Sequence, residues 1–186
     1  MCGICGIVDP GGVSAPDTRL ITRMIGRLRH RGPDSSGYYQ GDTALLGHAR
    51  LAIIDVDRGG QPMSNEDGSI WITYNGEIYN YIELAEELKA KGHTIKTHCD
   101  TEIVVHAFEE WGVDCFNRFN GQWAAALWNE KTRRLLISRD RLGIRPLYYT
   151  FLDNRFIFAS EIKALFVHPG LQRSVDAGGL AEVFTF

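Results

Sequence analysis

The spacing of apolar residues switches repeatedly between two periods along this 186-residue chain, and turn-forming residues often mark the switch. Apolar runs rich in β-branched and aromatic residues predict strands, whereas apolar residues three and four positions apart predict helices. Strands are expected at residues 4–8, 38–39, 44–46, 51–54, 69–74, 123–128, 135–138, 147–151 and 156–159, with a short one at Ile95. Helices are expected at residues 18–29, capped by Asp17 or Thr18, and at residues 79–91, 101–111, 114–119 and 161–167.

The order of these segments predicts an α+β chain with two stacked, mostly antiparallel sheets and helices outside them. Several strands follow one another through short turns, which suits antiparallel pairing, and regular β-α-β alternation is missing. Residues 123–128 are almost all apolar, so we expect this strand to be covered on both faces. Asn75-Gly76 is expected to end the strand over residues 69–74 abruptly.

The composition of the chain narrows its function classes. Hydrophobic residues make up 44% of the sequence, which predicts a folded domain. The net charge of −3 argues against nucleic acid or an anionic membrane as partner, and no apolar stretch is long enough to span a bilayer. Because the N-terminus lacks the pattern of a secretory signal, we expect a cytoplasmic protein whose four cysteines are reduced thiols.

Cys2 is the most informative single residue of the sequence. Its small side chain suits removal of Met1 by a methionine aminopeptidase, which leaves a thiol and a free α-amine on one residue. An α-amine with a pKa of roughly 7.7–8.0 is a usable base near neutral pH, so Cys2 can supply both nucleophile and base. Taken alone, Cys2 is better explained as an ordinary small residue at the start of an apolar strand.

Cys2 and Cys5 also form a Cys-x-x-Cys pair, a pattern found in redox and zinc sites. A second such pair is missing, and no recognised ligand spacing links the first with His98, Cys99 or His106. The sequence therefore predicts no metal site and no redox chemistry.

Six short motifs occur in a fixed order along the chain. They are Met1-Cys2-Gly3-Ile4-Cys5-Gly6, His30-Arg31-Gly32-Pro33-Asp34, Arg50-Leu51-Ala52-Ile53-Ile54-Asp55, Tyr74-Asn75-Gly76-Glu77-Ile78-Tyr79-Asn80, Asp100-Thr101-Glu102 and Asp140-Arg141-Leu142-Gly143-Ile144-Arg145-Pro146-Leu147-Tyr148-Tyr149. Each motif is weak by itself, but the ordered set is specific. It resembles the glutaminase domain of glutamine-dependent asparagine synthetases, a class II glutamine amidotransferase.

The resemblance covers essentially the whole chain and implies the N-terminal nucleophile hydrolase fold, a four-layer αββα sandwich. It implies a glutaminase domain over residues 1–186 that hydrolyses L-glutamine to L-glutamate and ammonia through a γ-glutamyl thioester on Cys2. That half-reaction needs no metal or organic cofactor. Two alternatives remain open, namely an amidotransferase domain that serves another ammonia acceptor and a catalytically silent domain that acts as a docking module.

Asn75 and Gly76 match the residues that form the family's oxyanion hole. An Asn side chain offers two N–H donors, and a glycine can present its backbone N–H without a Cβ in the way. The loss of one oxyanion donor typically raises the barrier by about 2.7–4 kcal/mol. From the sequence alone, Asn-Gly fits a type I′ hairpin turn as well, although the helical pattern that follows weakens that alternative.

The resemblance also assigns residues to the α-carboxylate and α-ammonium groups of glutamine. Arg50, expected at the head of the strand over residues 51–54, matches the arginine that grips the carboxylate, and a guanidinium suits bidentate binding. Asp100 and Glu77 are expected to hold the ammonium, although Asp100 also fits a helix N-cap. Backbone around Arg50 is expected to complete the pocket, which adds the residues Leu51, Ala52, Ile53 and Ile54.

Other polar residues of the motifs are assigned to the fold rather than to the chemistry. His30 and Asp34 suggest a Cys-His-Asp triad, but an N-terminal nucleophile needs no separate histidine base. His48 is expected to be structural, and the segment that contains Arg141 and Arg145 is expected to form a tight turn.

The chain lacks the Ser-Gly-Gly-x-Asp-Ser loop of an ATP-dependent synthetase domain and any Walker-type Gly-x-x-x-x-Gly-Lys loop. It ends on apolar residues, so we expect it to be one domain of a longer polypeptide, with ATP and Mg²⁺ used only in a covalently linked C-terminal synthetase domain. The final ammonia acceptor stays open at this point, and so does the oligomeric state, for which a homodimer is one alternative.

Overall fold

The computed structural model describes residues 1–185, and within them the chain forms nine strands and six α-helices. The strands are β1 (Gly3–Val8), β2 (Ser35–Gln40), β3 (Ala44–Arg50), β4 (Met63–Ser64), β5 (Ile70–Ile78), β6 (Gly121–Asn129), β7 (Arg134–Arg139), β8 (Tyr148–Leu152) and β9 (Arg155–Ala159). The helices are α1 (Ala15–Leu28), α2 (Tyr81–Ala90), α3 (Asp100–Trp111), α4 (Cys115–Arg118), α5 (Ile162–Leu165) and α6 (Ala177–Thr185). A 3₁₀ turn at Gly112–Asp114 precedes α4.

The strands form two sheets, one with the order β2-β3-β1-β9-β8 and the other with the order β4-β5-β6-β7. Every strand pair in both sheets is antiparallel. The antiparallel pairing that the short turns predicted is therefore confirmed.

Helices cover the outer face of each sheet, so the molecule has four layers. α1 packs on β1 and β3, and α3 packs on β5 with α2 beside it. The apolar strand β6 serves two cores. Ala124, Ala126 and Trp128 face the other sheet, whereas Trp123, Ala125 and Leu127 face the helices. This alternation confirms that the strand is covered on both faces.

Three local expectations about strands were wrong. Residues 51–54 form a loop, and Ile95 lies outside the strands. β5 does not stop at Tyr74 but runs through Asn75 and Gly76 to Ile78, because it stays paired with β6 to its end. A hairpin turn at this dipeptide is thereby excluded.

Helix starts also differ from the sequence-based expectation. The N-cap of α1 is Ser14 rather than Asp17 or Thr18, and Asp17 reaches back from the first turn to accept the Ser14 N–H at 2.8 Å. This reciprocal arrangement is a capping box, which is why an acidic residue stands inside the helix rather than before it. α6 lies beyond the last expected helix, and no helix within residues 1–185 is long and apolar enough to cross a bilayer.

Candidate active site

Strand pairing brings Cys2 next to the end of β3. Gly3 of β1 pairs with Ala49, so the residue before β1 lies beside the chain that leaves β3. The Cys2 Sγ accepts a hydrogen bond from the Leu51 N–H at 3.4 Å and lies 3.6 Å from the Leu51 carbonyl oxygen. The thiol is half-buried and lines a cavity at this end of the two sheets.

Burial raises the pKa of the Cys2 thiol above its usual value. The Leu51 N–H, the positive amino terminus and the Arg50 guanidinium oppose this shift by favouring the thiolate, whereas the Glu77 charge adds to it. With a raised pKa, the resting thiol holds its proton at neutral pH and needs a base to become a nucleophile.

The main chain of Cys2 is held by Arg31, whose Nε donates to the Cys2 carbonyl oxygen at 2.9 Å. The same guanidinium pairs with Glu161 at 3.0 Å. His30 Nε2 also lies 2.9 Å from the Glu161 carboxylate, and Lys163 Nζ lies 2.9 Å from its other oxygen. The motif over residues 30–34 thus holds the main chain of Cys2 through Arg31, whereas His30 binds Glu161.

Asn75 carries a buried donor without a partner. The residue is 2% exposed and lines the cavity that contains Cys2. Among residues 1–185, nothing accepts a hydrogen bond from its Nδ2. A buried polar group left unsatisfied costs roughly 1–3 kcal/mol, so the position fits a donor kept for a bound acceptor.

The backbone N–H of Gly76 points into the same cavity, because strand geometry fixes its direction. N–H groups two residues apart on a strand face the same edge. On β5, the Tyr74 N–H donates to Gln61 Oε1 at 2.7 Å and the Ile78 N–H donates to Asp100 Oδ2 at 3.1 Å. The Gly76 N–H lies between these two and faces the same edge.

Glycine is required at position 76 by the space around it. A Cβ there would lie 2.4 Å from the Gln122 carbonyl oxygen and 2.7 Å from the Tyr74 hydroxyl. Glycine is needed at this position because atoms of Gln122 and Tyr74 approach it closely, and not because the chain makes a sharp turn there.

Asp100 is the first residue of α3, and its carboxylate is buried at the cavity. Its Oδ2 accepts hydrogen bonds from the Tyr74 hydroxyl at 3.0 Å and from the Ile78 N–H at 3.1 Å. Burial raises the pKa of the Asp100 carboxyl, and these hydrogen bonds partly offset that rise. Asp100 does not cap the helix, as one alternative had it, because Cys99 occupies the N-cap position.

Glu77 places a second carboxylate at the cavity. Burial raises the pKa of Glu77, the charge of Asp100 raises it further, and the charge of Arg145 lowers it. Two carboxylates that disfavour each other's ionisation form a site that an added cation stabilises. The pair therefore suits an ammonium group.

Arg50 ends β3 and is 7% exposed. Its guanidinium donates to three loop carbonyls, those of Ile54 at 3.2 Å, Asp55 at 2.8 Å and Val56 at 2.6 Å. Three of its five N–H groups thus shape the loop after β3. The arginine therefore faces the cavity with a fixed side chain. The sequence predicted it at the start of a strand over residues 51–54, whereas it is the last residue of β3.

The loop after β3 contributes Leu51, Ile53 and Ile54 to the cavity wall. Ala52 instead donates its N–H to Asp34 Oδ2 at 2.8 Å. Asp34 also donates its own N–H to the Arg50 carbonyl at 3.1 Å, so it ties both ends of the turn. The assignment of Asp34 to structure agrees with these contacts.

The sequence did not predict several of the residues that line the cavity. Gln61 joins two walls, since it accepts from the Tyr74 N–H and donates to Thr101 Oγ1 at 3.2 Å. Arg145 lines the cavity near Glu77, and its buried Nε has no partner among residues 1–185. The sequence predicted that the motif around Arg145 forms a tight turn and no more. Asp140 holds that turn together by accepting hydrogen bonds from the N–H groups of residues 142, 144 and 145.

His48 is fully buried on β3 and does not serve the thiol as a base. Its Nδ1 lies 3.1 Å from the Thr73 hydroxyl, which itself donates to the Gly47 carbonyl. Burial and the charge of Arg50 lower the pKa of His48 to about 3, so its ring is neutral at physiological pH. This agrees with the structural role expected for it.

Comparison with known proteins identifies relatives of this chain by sequence. The chain is 42% identical over 186 residues to asparagine synthetase [glutamine-hydrolyzing] 3 of Bacillus subtilis and 44% identical over 188 residues to asparagine synthetase [glutamine-hydrolyzing] 1 of the same organism. These matches cover 99% and 100% of the chain but 30% of each relative, so the chain spans under a third of their length.

Solved structures share the fold. The glutamine phosphoribosylpyrophosphate amidotransferase of B. subtilis, in complex with ADP and GMP, matches with a TM-score of 0.73, 22% identity and coverage of 89% of this chain and 43% of that chain. A structure described as the allosteric regulatory enzyme of purine biosynthesis matches with a TM-score of 0.70 at the same identity. These neighbours confirm the N-terminal nucleophile hydrolase fold.

A model of one protein family, described as the glutamine amidotransferase domain, matches residues 1–186. The match agrees with the resemblance that the six motifs carried and with the arrangement of the cavity residues. The chain therefore belongs to the family of glutamine amidotransferase domains.

Proposed function

We propose that this domain hydrolyses L-glutamine to L-glutamate and ammonia, with Cys2 as the nucleophile. One observation carries the proposal. A half-buried thiol, an unpartnered amide donor on Asn75 and the carboxylates of Glu77 and Asp100 line one cavity. A thiol suits attack on an amide carbon, a free donor suits the resulting oxyanion, and paired carboxylates suit an α-ammonium group.

The reaction starts once Met1 has been removed. The α-amine of Cys2 takes the thiol proton, and Sγ attacks the side-chain amide carbon of glutamine. The oxyanion that forms accepts hydrogen bonds from the Asn75 side chain and the Gly76 N–H. Ammonia leaves with the proton held by the amine, and water then cleaves the γ-glutamyl thioester to release glutamate.

Substrate recognition uses the rest of the cavity. Asp100 and Glu77 hold the α-ammonium group, and the N–H groups of Arg50 that do not bond the loop hold the α-carboxylate. The backbone of Leu51, Ile53 and Ile54 forms the wall that Arg50 shapes through its three carbonyl contacts. No step of this hydrolysis calls for a metal or an organic cofactor.

We further propose that residues 1–186 are the glutaminase part of a longer asparagine synthetase. The printed names of the relatives and the 30% share of their length support this assignment. The ammonia then passes to a covalently linked synthetase domain, where ATP and Mg²⁺ are used. The four free cysteines favour a reducing compartment, as in the cytoplasm.

The test is ammonia release from glutamine by the chain, combined with intact-mass measurement after treatment with a thiol-directed glutamine mimic. We expect one covalent adduct on Cys2 and loss of ammonia release in Cys2→Ala. Cys115→Ala is the matched control, because that thiol is buried with a pKa raised to about 12. Ammonia release by Cys2→Ala, or an adduct that persists in it, would contradict the nucleophile assignment.

A further inference from the structure

A second cluster of reactive side chains lies on the outer helical layer. His106 and Glu109 stand one turn apart on α3, and His93 follows the end of α2. The Nδ1 atoms of His93 and His106 lie 3.8 Å and 3.3 Å from the same oxygen, Glu109 Oε2. One ligand atom from each residue lies within 4.8 Å of those of the other two.

The other ring nitrogen of each histidine faces further carboxylates. His93 Nε2 lies 3.2 Å from Glu110 Oε2. His106 Nε2 lies 3.8 Å from Glu66 Oε1 and 4.0 Å from Glu102 Oε1. His93 can thus give its second ring N–H to a carboxylate, as a metal-bound histidine typically does, whereas the carboxylates near His106 Nε2 lie beyond direct hydrogen-bond distance.

His106 Nδ1 can donate a hydrogen bond to Glu109 Oε2 in one tautomer, but the other tautomer leaves acceptor atoms facing one another. A neutral imidazole that carries its proton on Nε2 presents a lone pair on Nδ1. The lone pairs of His93 and His106 would then converge on the anionic Glu109 oxygen with nothing between them. A cation at that point turns three mutually repelling groups into ligands.

We propose that His93 Nδ1, His106 Nδ1 and Glu109 Oε2 bind a divalent transition-metal ion of the Zn²⁺ class. Two imidazoles and one carboxylate suit such an ion, and water would complete a tetrahedral shell. Bonds of about 2.0–2.1 Å place tetrahedral ligands roughly 3.4 Å apart, close to the two nitrogen–oxygen distances already present.

The burial of the three side chains suits an ion that enters from solvent. The His106 side chain is 3% exposed and serves as the fixed ligand, whereas the Glu109 side chain is 35% exposed and can adjust. Asn65 Nδ2 donates to Glu109 Oε1 at 3.2 Å and orients the carboxylate. The site can therefore fill without disturbing the core under α3.

The ion would tie the segment between α2 and α3 to the middle of α3. His106 stands six residues after Asp100, which is about 9 Å along a helix. The metal site is thus separate from the glutamine cavity and has a stabilising role. The ion would stabilise α3, the helix that begins with Asp100, without contacting the substrate.

Zinc titration of the metal-free chain tests the proposal, with binding followed by calorimetry and stability by the melting temperature. A Cys2→Ala background removes the one half-buried thiol as a competing ligand. We expect one Zn²⁺ per chain and a rise in melting temperature, and we expect His93→Gln and Glu109→Gln each to weaken the affinity at least tenfold.

His98→Gln is the matched control, since His98 is an exposed histidine on the same segment. Its affinity for Zn²⁺ should equal that of the background protein. Equal affinity in all three variants, or binding without a change in melting temperature, would overturn the proposal and leave the cluster as a network of ion pairs. Since His106 itself is not replaced, both test variants change partly exposed side chains and keep the buried one.

Discussion

The Arg31 guanidinium donates a hydrogen bond to the carbonyl oxygen of Cys2 at 2.9 Å, so a side chain of the second motif holds the main chain of the first. The arginine is itself fixed by Glu161 at 3.0 Å. The position of the thiol thus depends on residues from two other, distant parts of the chain.

We expect Arg31→Gln to reduce kcat for glutamine hydrolysis by roughly tenfold or more while KM changes little. The substitution removes a charged donor to the Cys2 carbonyl and loosens the nucleophile, and small misplacements of reacting groups lower rates steeply. Steady-state ammonia release gives both constants. Arg173→Gln, a change in an exposed arginine, is the control, and a pure KM effect at position 31 would contradict this reasoning.

For Asn75→Ala we expect kcat to fall by about 10²–10³ because an oxyanion donor is lost. The same change should leave the melting temperature unchanged or raise it, since Nδ2 has no partner in the resting protein. Kinetics and thermal unfolding measured on one preparation check both parts. A large loss of stability would show that Asn75 serves the fold instead.

Arg50→Lys should raise KM for glutamine at least about tenfold, because an ammonium group lacks the planar set of N–H groups that can bond the loop carbonyls and a carboxylate together. It should also lower the melting temperature, since the three carbonyls of residues 54–56 lose their donor. Replacing a buried hydrogen-bonded group typically costs 1–3 kcal/mol, or roughly 2–4 °C per kcal/mol for a chain of this size. An unchanged KM would move the carboxylate site to another residue.

Asp100 gives a prediction about pH. Burial raises its pKa in the folded protein, so the folded state holds this proton more tightly than the unfolded state does. Ionisation of Asp100 therefore lowers the free energy of unfolding as pH rises from the ordinary pKa of an aspartic acid through the raised one. We expect Asp100→Asn to lose this part of the pH dependence and to melt at a higher temperature than the unaltered protein at pH 7.

An amide oxygen at position 100 can still accept from Tyr74 and Ile78, which keeps the local hydrogen bonds. The variant should nevertheless bind glutamine weakly, because a charge that suits the ammonium group is gone. Melting curves of both proteins from pH 4 to pH 8 check the difference. Parallel pH profiles would show that Asp100 titrates alike in both states.

The alternation of apolar residues predicted most strands because burial on a sheet leaves a local trace in sequence. β6 is the clearest case, since its residues 123–128 alternate between two cores and all are apolar. The sequence did not predict that β5 continues beyond residue 74, because the cause lies in contacts with residues distant in sequence. Gly76 lies where the Gln122 carbonyl approaches, and no neighbouring residue in sequence reports that contact.

The motifs contain most of the residues that line the cavity, but they do not include Gln61 and did not indicate that Arg145 reaches the cavity. Gln61 reaches Tyr74 and Thr101 from a loop without a motif. Arg145 comes to Glu77 from 68 positions away in sequence. The pairing of such residues depends on how the layers stack, which periodicity does not encode.

The register between β5 and β6 sets the direction of the Asn75 side chain and of the Gly76 N–H. Nine consecutive residue pairs, from Ile70 with Asn129 to Ile78 with Gly121, set which amide group of β5 turns outward. A shift of one position would send the Gly76 amide into the sheet and turn the Asn75 side chain to the opposite face. Packing at the far end of these two strands, around Trp128, therefore keeps Asn75 and Gly76 aligned with the cavity although Trp128 does not line it.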